Sequence, residues 1–198
     1  MSRLALFAYG SLASPASATL TLGRPVELAG LARVEGWARG WSVCRDNLSV
    51  EKTFARPDGT LPRHCLGLGL EPDPGAEPPN GALIEVSEAE LERLDLREMR
   101  YERVDVTDGV RVGGKDGAAA QFDRVVAYRA RPEHRCPNTP PPDTVIIARY
   151  LTTIEAAFAE LGPGELERFR ATTEPPPVDL IDAVLVRDRI PAGNPRAW

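Results

Sequence analysis

The chain has little cysteine and less histidine. Cys44, Cys65 and Cys136 are odd in number and scattered, which excludes a disulfide framework and points to a reducing, cytoplasmic setting. His64 and His134 are the only histidines. His64-Cys65 and His134-x-Cys136 lack the spacing of common zinc motifs, and neighbouring ligands on a strand point to opposite faces. No metal and no cofactor are expected. A nucleophilic Cys44 would need one of those histidines brought close by the fold. Both histidines sit in proline-rich or turn-like segments, so Cys44 reads as a structural or surface thiol. No run of Lys or Arg stands out and the net charge is −5, which argues against a nucleic-acid partner. No apolar run reaches membrane-spanning length. The N-terminus lacks a basic start, an apolar core and a cleavage site in order, so neither a signal peptide nor a membrane partner is expected. There is no Gly-x-Ser-x-Gly elbow, phosphate loop, dinucleotide fingerprint or internal repeat.

What is present suits one domain. The 198 residues, 42% of them hydrophobic, can bury a proper core. Residues 1–198 read as a single unit, with 175–198 a tail behind Pro175-Pro176-Pro177. The organising stretch is Leu4-Ala5-Leu6-Phe7-Ala8-Tyr9-Gly10-Ser11-Leu12. Leu4 to Ala8 have no polar face, as in a strand covered on both sides. Gly10 interrupts the run, and Ser14-Pro15 supplies an N-cap and a first-turn proline for a short helix ending near Gly23. A glycine loop here lets a ligand approach the backbone and can aim N–H groups at a carboxylate.

Further along, Leu28 to Cys44 reads as bent strand, punctuated by Gly30, Gly36 and Gly40, residues that mark bulges or barrel corners. Residues 47–63 show no clean period and hold a turn at Pro57-Asp58-Gly59. Cys65 to Leu70 alternates leucine with glycine, leaving one side open to a close neighbour or ligand. After the Pro72–Pro79 loop comes a strand over Ala82–Val86. Ser87 and Glu90 then form a capping box. The helix it opens carries Leu91 and Leu94 on one face and ends near Asp95 or Leu96. Glu98 therefore falls just beyond a helix end, before a strand over Tyr101–Val106. A turn is expected at Gly113-Gly114-Lys115-Asp116-Gly117 and a strand over Phe122–Ala130. Residues 131–143 read as a proline-rich loop. Ile147, Leu151, Ile154, Phe158 and Leu161 have helical spacing before Gly162, although Val145-Ile146-Ile147 also suits a strand. Glu165 to Arg170 suits a short helix, and Ala183 to Val186 can pair with a sheet edge. The class is α+β: a small, mixed, β-barrel-like sheet with a few flanking helices.

Three stretches carry a resemblance. Phe-x-Tyr-Gly-Ser-Leu near the N-terminus, Leu94-Asp95-x-x-Glu98 before Tyr101, and Arg149-Tyr150-Leu151 opening a helix resemble the gamma-glutamylcyclotransferase family. Together the matches extend over residues 4–161. The resemblance implies an enzyme that acts on a small gamma-glutamyl amide. The substrate's own α-amine attacks its γ-carbonyl, 5-oxoproline forms, and an amine or amino acid is released. It implies Glu98 as general acid/base and Tyr9, Gly10, Ser11 and Leu12 as the substrate-binding loop. Arg45, Asn47, Tyr101 and Tyr150 are further polar candidates near the pocket. The chain departs from common family members at Met99-Arg100-Tyr101, where they place a glycine soon after the glutamate. Two alternatives accompany this reading: an acyl- or amine-transfer enzyme on the same fold, and a non-catalytic small-molecule binding protein.

Overall fold

The computed structural model describes residues 3–113 and 122–195. In chain order its strands are β1 (Leu4–Ala8), β2 (Gly30–Val34), β3 (Trp37–Asp46), β4 (Lys52–Ala55), β5 (His64–Pro72), β6 (Asn80–Val86), β7 (Tyr101–Asp105), β8 (Val110–Gly113), β9 (Arg124–Ala130), β10 (Thr144–Ile147), β11 (Leu180–Ile181) and β12 (Val184–Asp188). Its α-helices are α1 (Pro15–Leu22), α2 (Glu88–Arg97), α3 (Ala148–Glu160) and α4 (Glu165–Ala171).

β1 is buried along its whole length, as its lack of a polar face requires. It lies antiparallel to β6 and parallel to β9, inside a sheet ordered β7-β9-β1-β6-β2-β8. A second sheet runs β11-β10-β5-β3, and β12 pairs with β4. Leu66, Leu68 and Leu70 of β5 join Leu6 and Phe7 of β1, Leu91 and Leu94 of α2, and Ile154 and Phe158 of α3 in one core. Burying each such side chain contributes about 1.5–3 kcal/mol.

The sheets do not close among the described residues, so the expected barrel-like form is corrected to open mixed sheets. Gly36, in the left-handed region at φ 81°, turns the chain between β2 and β3. These two strands belong to different sheets, so the glycine bend hands the chain across instead of carrying one sheet around.

Several local readings hold. Ser14 caps α1 with a proline in the first turn, and Gly23 ends it at φ 73°. The Ser87/Glu90 capping box opens α2, which runs to Arg97, slightly beyond the expected end. Strand and helix both occur around Ile147, as β10 and then α3. Ala183 to Val186 largely enters β12, antiparallel to β4. The patternless region 47–63 contains β4, whose Lys52 and Thr53 are buried beside Phe54 and Ala55. The turn expected beyond Gly113 lies outside the described residues. Among those residues, no helix is long and apolar enough to cross a membrane.

Arg39 sits in the core with 1% of its surface exposed. It donates to the carbonyls of Tyr9, Asn80 and Phe169, to Asn80 Oδ1, and to the hydroxyls of Thr172 and Thr173. The faces of Phe158 and Phe169 flank it. The end of α4, where helix carbonyls concentrate negative partial charge, supplies part of this cage. Burial pulls the guanidinium's pKa down to about 9.

Candidate active site

Beyond β1 the chain makes one 3-10 turn, Ser11–Ala13, before α1 begins. The Ala13 amide closes that turn on the Gly10 carbonyl at 2.9 Å. No hydrogen bond among the described residues uses the amides of Gly10 or Ser11, so both remain available to a ligand. A side chain built on Gly10 would meet nothing within 4 Å. Gly10 has φ −140°, so its value is the open approach it leaves and not a left-handed turn. Tyr9 behind it is buried and donates its hydroxyl to the Tyr128 carbonyl. Burial, then the neighbouring Tyr101 and Glu98, pushes the Tyr9 hydroxyl's pKa well up.

Glu98 caps the C-terminus of α2. Its amide donates to Leu94 O and its carbonyl accepts from the Tyr101 amide, both at 2.8 Å, which fixes it between a helix and β7. Its side chain is 17% exposed, and Oε1 lies 3.2 Å from Arg97 Nε. Arg97 is buried and reaches from α2 to the loop and α1. It donates to Ser11 Oγ at 3.2 Å, Ser17 Oγ at 3.3 Å and Thr21 Oγ1 at 2.5 Å. One guanidinium thus ties the loop after β1 to the glutamate. Sequence reasoning missed it, although a signal existed: Leu91, Leu94 and Arg97 recur every three residues, placing a cation on the buried stripe.

Tyr101 and Tyr150 converge on Leu68. Tyr101 donates to its carbonyl at 2.8 Å, and Tyr150 accepts from its amide at 3.2 Å. The β3–β5 ladder slips between Gly40 and Val43, and Leu68 lies opposite this bulge. Gly67 faces the same hydroxyls; a side-chain carbon there would lie 3.6 Å from that of Tyr101.

These groups border two neighbouring cavities. The larger, a cleft of about 520 Å³, is lined by Tyr9, Gly10, Ser11, Leu12, Arg97, Glu98, Tyr101 and Tyr150, with Ala183 and Leu185 of the tail on its rim. That size suits a small molecule. A side pocket of about 60 Å³ shares Glu98, Tyr101 and Tyr150 and adds Arg45, Gly67 and Arg100. Arg45 donates to Lys52 O at 2.8 Å and Asn47 Oδ1 at 3.2 Å. Asn47 lines neither cavity. It brackets β4, accepting from the Phe54 amide and donating to the carbonyls of Phe54 and Pro62. The structure therefore brings the sequence-nominated residues together with the exception of Asn47, whose position is a bracing one.

No family model and no curated protein matches the sequence. Solved structures match the fold. One described as gamma-glutamyl cyclotransferase superposes with a TM-score of 0.57 at 17% identity, over 87% of this chain and 89% of that one. An uncharacterized Homo sapiens protein, loc79017, gives 0.59 at 17% identity, over 88% and 90%. YkqA from Bacillus subtilis gives 0.54 at 18% identity over 85% of this chain and 53% of its own, so the chain spans about half of YkqA. The chain has the gamma-glutamylcyclotransferase-like fold.

Proposed function

We propose that the protein cyclises a gamma-glutamyl amide to 5-oxoproline and releases an amine or amino acid. One observation carries this reading: the Glu98 carboxylate and the Tyr9–Leu12 loop line the same cleft, and Arg97 links them. The nucleophile is already in the substrate. Holding the α-amine against the γ-carbonyl supplies proximity, worth roughly 7–11 kcal/mol at best. The unused amides of Gly10 and Ser11 hold the glutamyl carboxylate. Glu98 takes a proton from the attacking amine and returns it to the leaving nitrogen, so one carboxylate serves both steps. Tyr101 and Tyr150 wall the site, their hydroxyls engaged by Leu68. Arg97 acts as a positioning residue. The sequence of steps calls for no metal or cofactor.

The test is 5-oxoproline release over a panel of gamma-glutamyl amides, with wild-type protein and Glu98→Gln. The variant keeps size and folding but loses on the order of 10²–10⁴ in kcat, with KM little changed. A folded Glu98→Gln protein with near wild-type kcat removes Glu98 from the chemistry. Binding without product points to a binding protein, and turnover without 5-oxoproline to a transfer enzyme.

A further inference from the structure

Two of the three cysteines, far apart in sequence, meet in the fold. Beyond β9 a 3-10 turn, Pro132–His134, brings the proline-rich loop back across β3. There Val43 and Arg135 form an isolated antiparallel bridge, and the Cys136 amide donates to the Ser42 carbonyl at 2.7 Å. Cys44 and Cys136 each follow a bridge residue, so they stand diagonally across the bridge. Their thiols reach one another and share a hydrogen bond. Both residues are only partly buried, and neither is in a disulfide.

The third cysteine is kept out of this contact. Cys65 lies opposite Arg45 on the β3–β5 ladder, whereas Cys44 lies opposite Leu66. Successive side chains on a strand alternate between faces, so the Cys65 thiol points away from the pair. It is also buried, with 3% of its surface exposed. The two paired thiols differ in character. Burial raises both, but the Cys44 S–H donates to the Cys136 sulfur and offsets part of the rise there. A thiolate therefore forms more readily on Cys136, with Cys44 beside it as a resolving thiol.

We infer that Cys44 and Cys136 form a reversible dithiol–disulfide couple, which exchanges with small-molecule disulfides and, when oxidised, fastens the 131–143 loop to β3. The oxidant is a disulfide of low molecular weight, and the exchange balances. The Cys136 thiolate attacks one sulfur of that disulfide, its S–S bond breaks, and one thiolate leaves. The Cys44 thiol then loses its proton, attacks the Cys136 sulfur and expels the second thiolate. Two protein thiols are oxidised, two protons are released, and one small disulfide becomes two thiols. Diagonal neighbours are spaced somewhat wider than a relaxed disulfide. Closure therefore draws the loop towards β3, and a bond formed under strain is readily reduced again. Such a bond belongs to reversible redox chemistry and not to a structural framework. Val43 and Arg45 flank Cys44 and line the side pocket, so the fastening acts on a wall beside the cleft.

The test treats folded, full-length wild-type protein with glutathione disulfide at pH 8, quenches with acid and maps the peptides by mass spectrometry without reduction. The expected product is a Cys44–Cys136 cross-linked peptide, lighter by two hydrogens and lost on adding dithiothreitol, with Cys65 untouched. Cys44→Ser removes the resolving thiol. It should accumulate the Cys136–glutathione mixed disulfide at least about tenfold above wild type, because an internal thiol outcompetes a second glutathione. Cys136→Ser should leave Cys44 unmodified over the same time. Should serine disturb the strand, Cys44→Ala serves the same comparison, and the wild-type map stands without either variant. The inference is overturned if the cross-link is absent from folded protein, forms only in urea, or involves Cys65. It is equally overturned if wild type and the Cys44 variant carry the same level of mixed disulfide on Cys136.

Discussion

Replacing Arg97 separates a positioning role from a merely structural one. Among the described residues the guanidinium's partners include Glu98 Oε1, Ser11 Oγ, Ser17 Oγ and Thr21 Oγ1. Arg97→Met removes the charge and keeps the apolar stem. Ser11 and Ser17 are only partly buried and can turn to water, while Thr21 retains its bond to the Ser17 carbonyl. The main loss is therefore the Glu98 pairing. Breaking a fully buried ion pair costs about 3–5 kcal/mol, and the partial exposure of Glu98 brings the expected cost to about 2–4 kcal/mol. For a chain of this size that is a fall of roughly 5–15 °C in Tm. With the tie to Ser11 gone, the loop and the carboxylate lose their common reference. A displacement of an ångström can cost on the order of 10²-fold in rate, so kcat should fall by about 10–10²-fold at a temperature where the variant is fully folded. Arg97→Lys keeps a cation but cannot span the same set of partners, so it should recover part of the stability and little of kcat. Thermal melts and 5-oxoproline kinetics on the same preparations give both numbers. A folded Arg97→Met protein with kcat within twofold of wild type would refute the positioning argument and leave Arg97 as scaffold.

Further expectations concern ionisation. Burial, with Cys136 and Cys65 close by, pushes the Cys44 thiol up to about 11. At pH 8 it should react with iodoacetamide on the order of a hundredfold more slowly than a free cysteine, and mass spectrometry that found it alkylated at the free rate would contradict this environment. For Glu90, burial alone would raise the carboxyl, but Arg24 and the Ser87 amide and hydroxyl outweigh it and hold the pKa below the usual range. The stabilisation is thus fully present above the unfolded value of about 4.3 and is lost as pH falls through the lower folded value. Urea unfolding should show Glu90→Gln weaker than wild type at pH 7, with the gap narrowing in acid; a gap constant with pH would exclude the linkage.

The loop and Glu98 were legible because their signals are local. An all-apolar strand, a glycine, a capped helix and a capping box each act within a few residues, and together they deliver Gly10, Ser11 and Glu98 to one cleft. The hidden parts depend on pairings across the chain. β4 has no period of its own because β12, more than a hundred residues later, covers Lys52 and Thr53. Arg39, Arg97 and Arg100 read locally as solvated charges, and only the folded chain supplies the carbonyls, hydroxyls and the Glu51 carboxylate that bury them. The barrel-like expectation failed at Gly36, since a glycine bend has the same appearance in sequence whether it rounds a barrel or passes the chain to another sheet.

Arg39 sets a timetable for synthesis. Its contact with the Tyr9 carbonyl spans 30 residues, but those with Phe169, Thr172 and Thr173 span 130, 133 and 134. A guanidinium without those late partners stays hydrated, because burying it half-satisfied is costly. The ribosome delivers the N-terminal loop first and the end of α4 almost last. Contacts so distant in sequence are slow to form, and the backbone under Tyr9 cannot be locked until they do. A nascent or truncated chain that stops before Phe169 therefore lacks three of the acceptors that bury Arg39 beneath Tyr9.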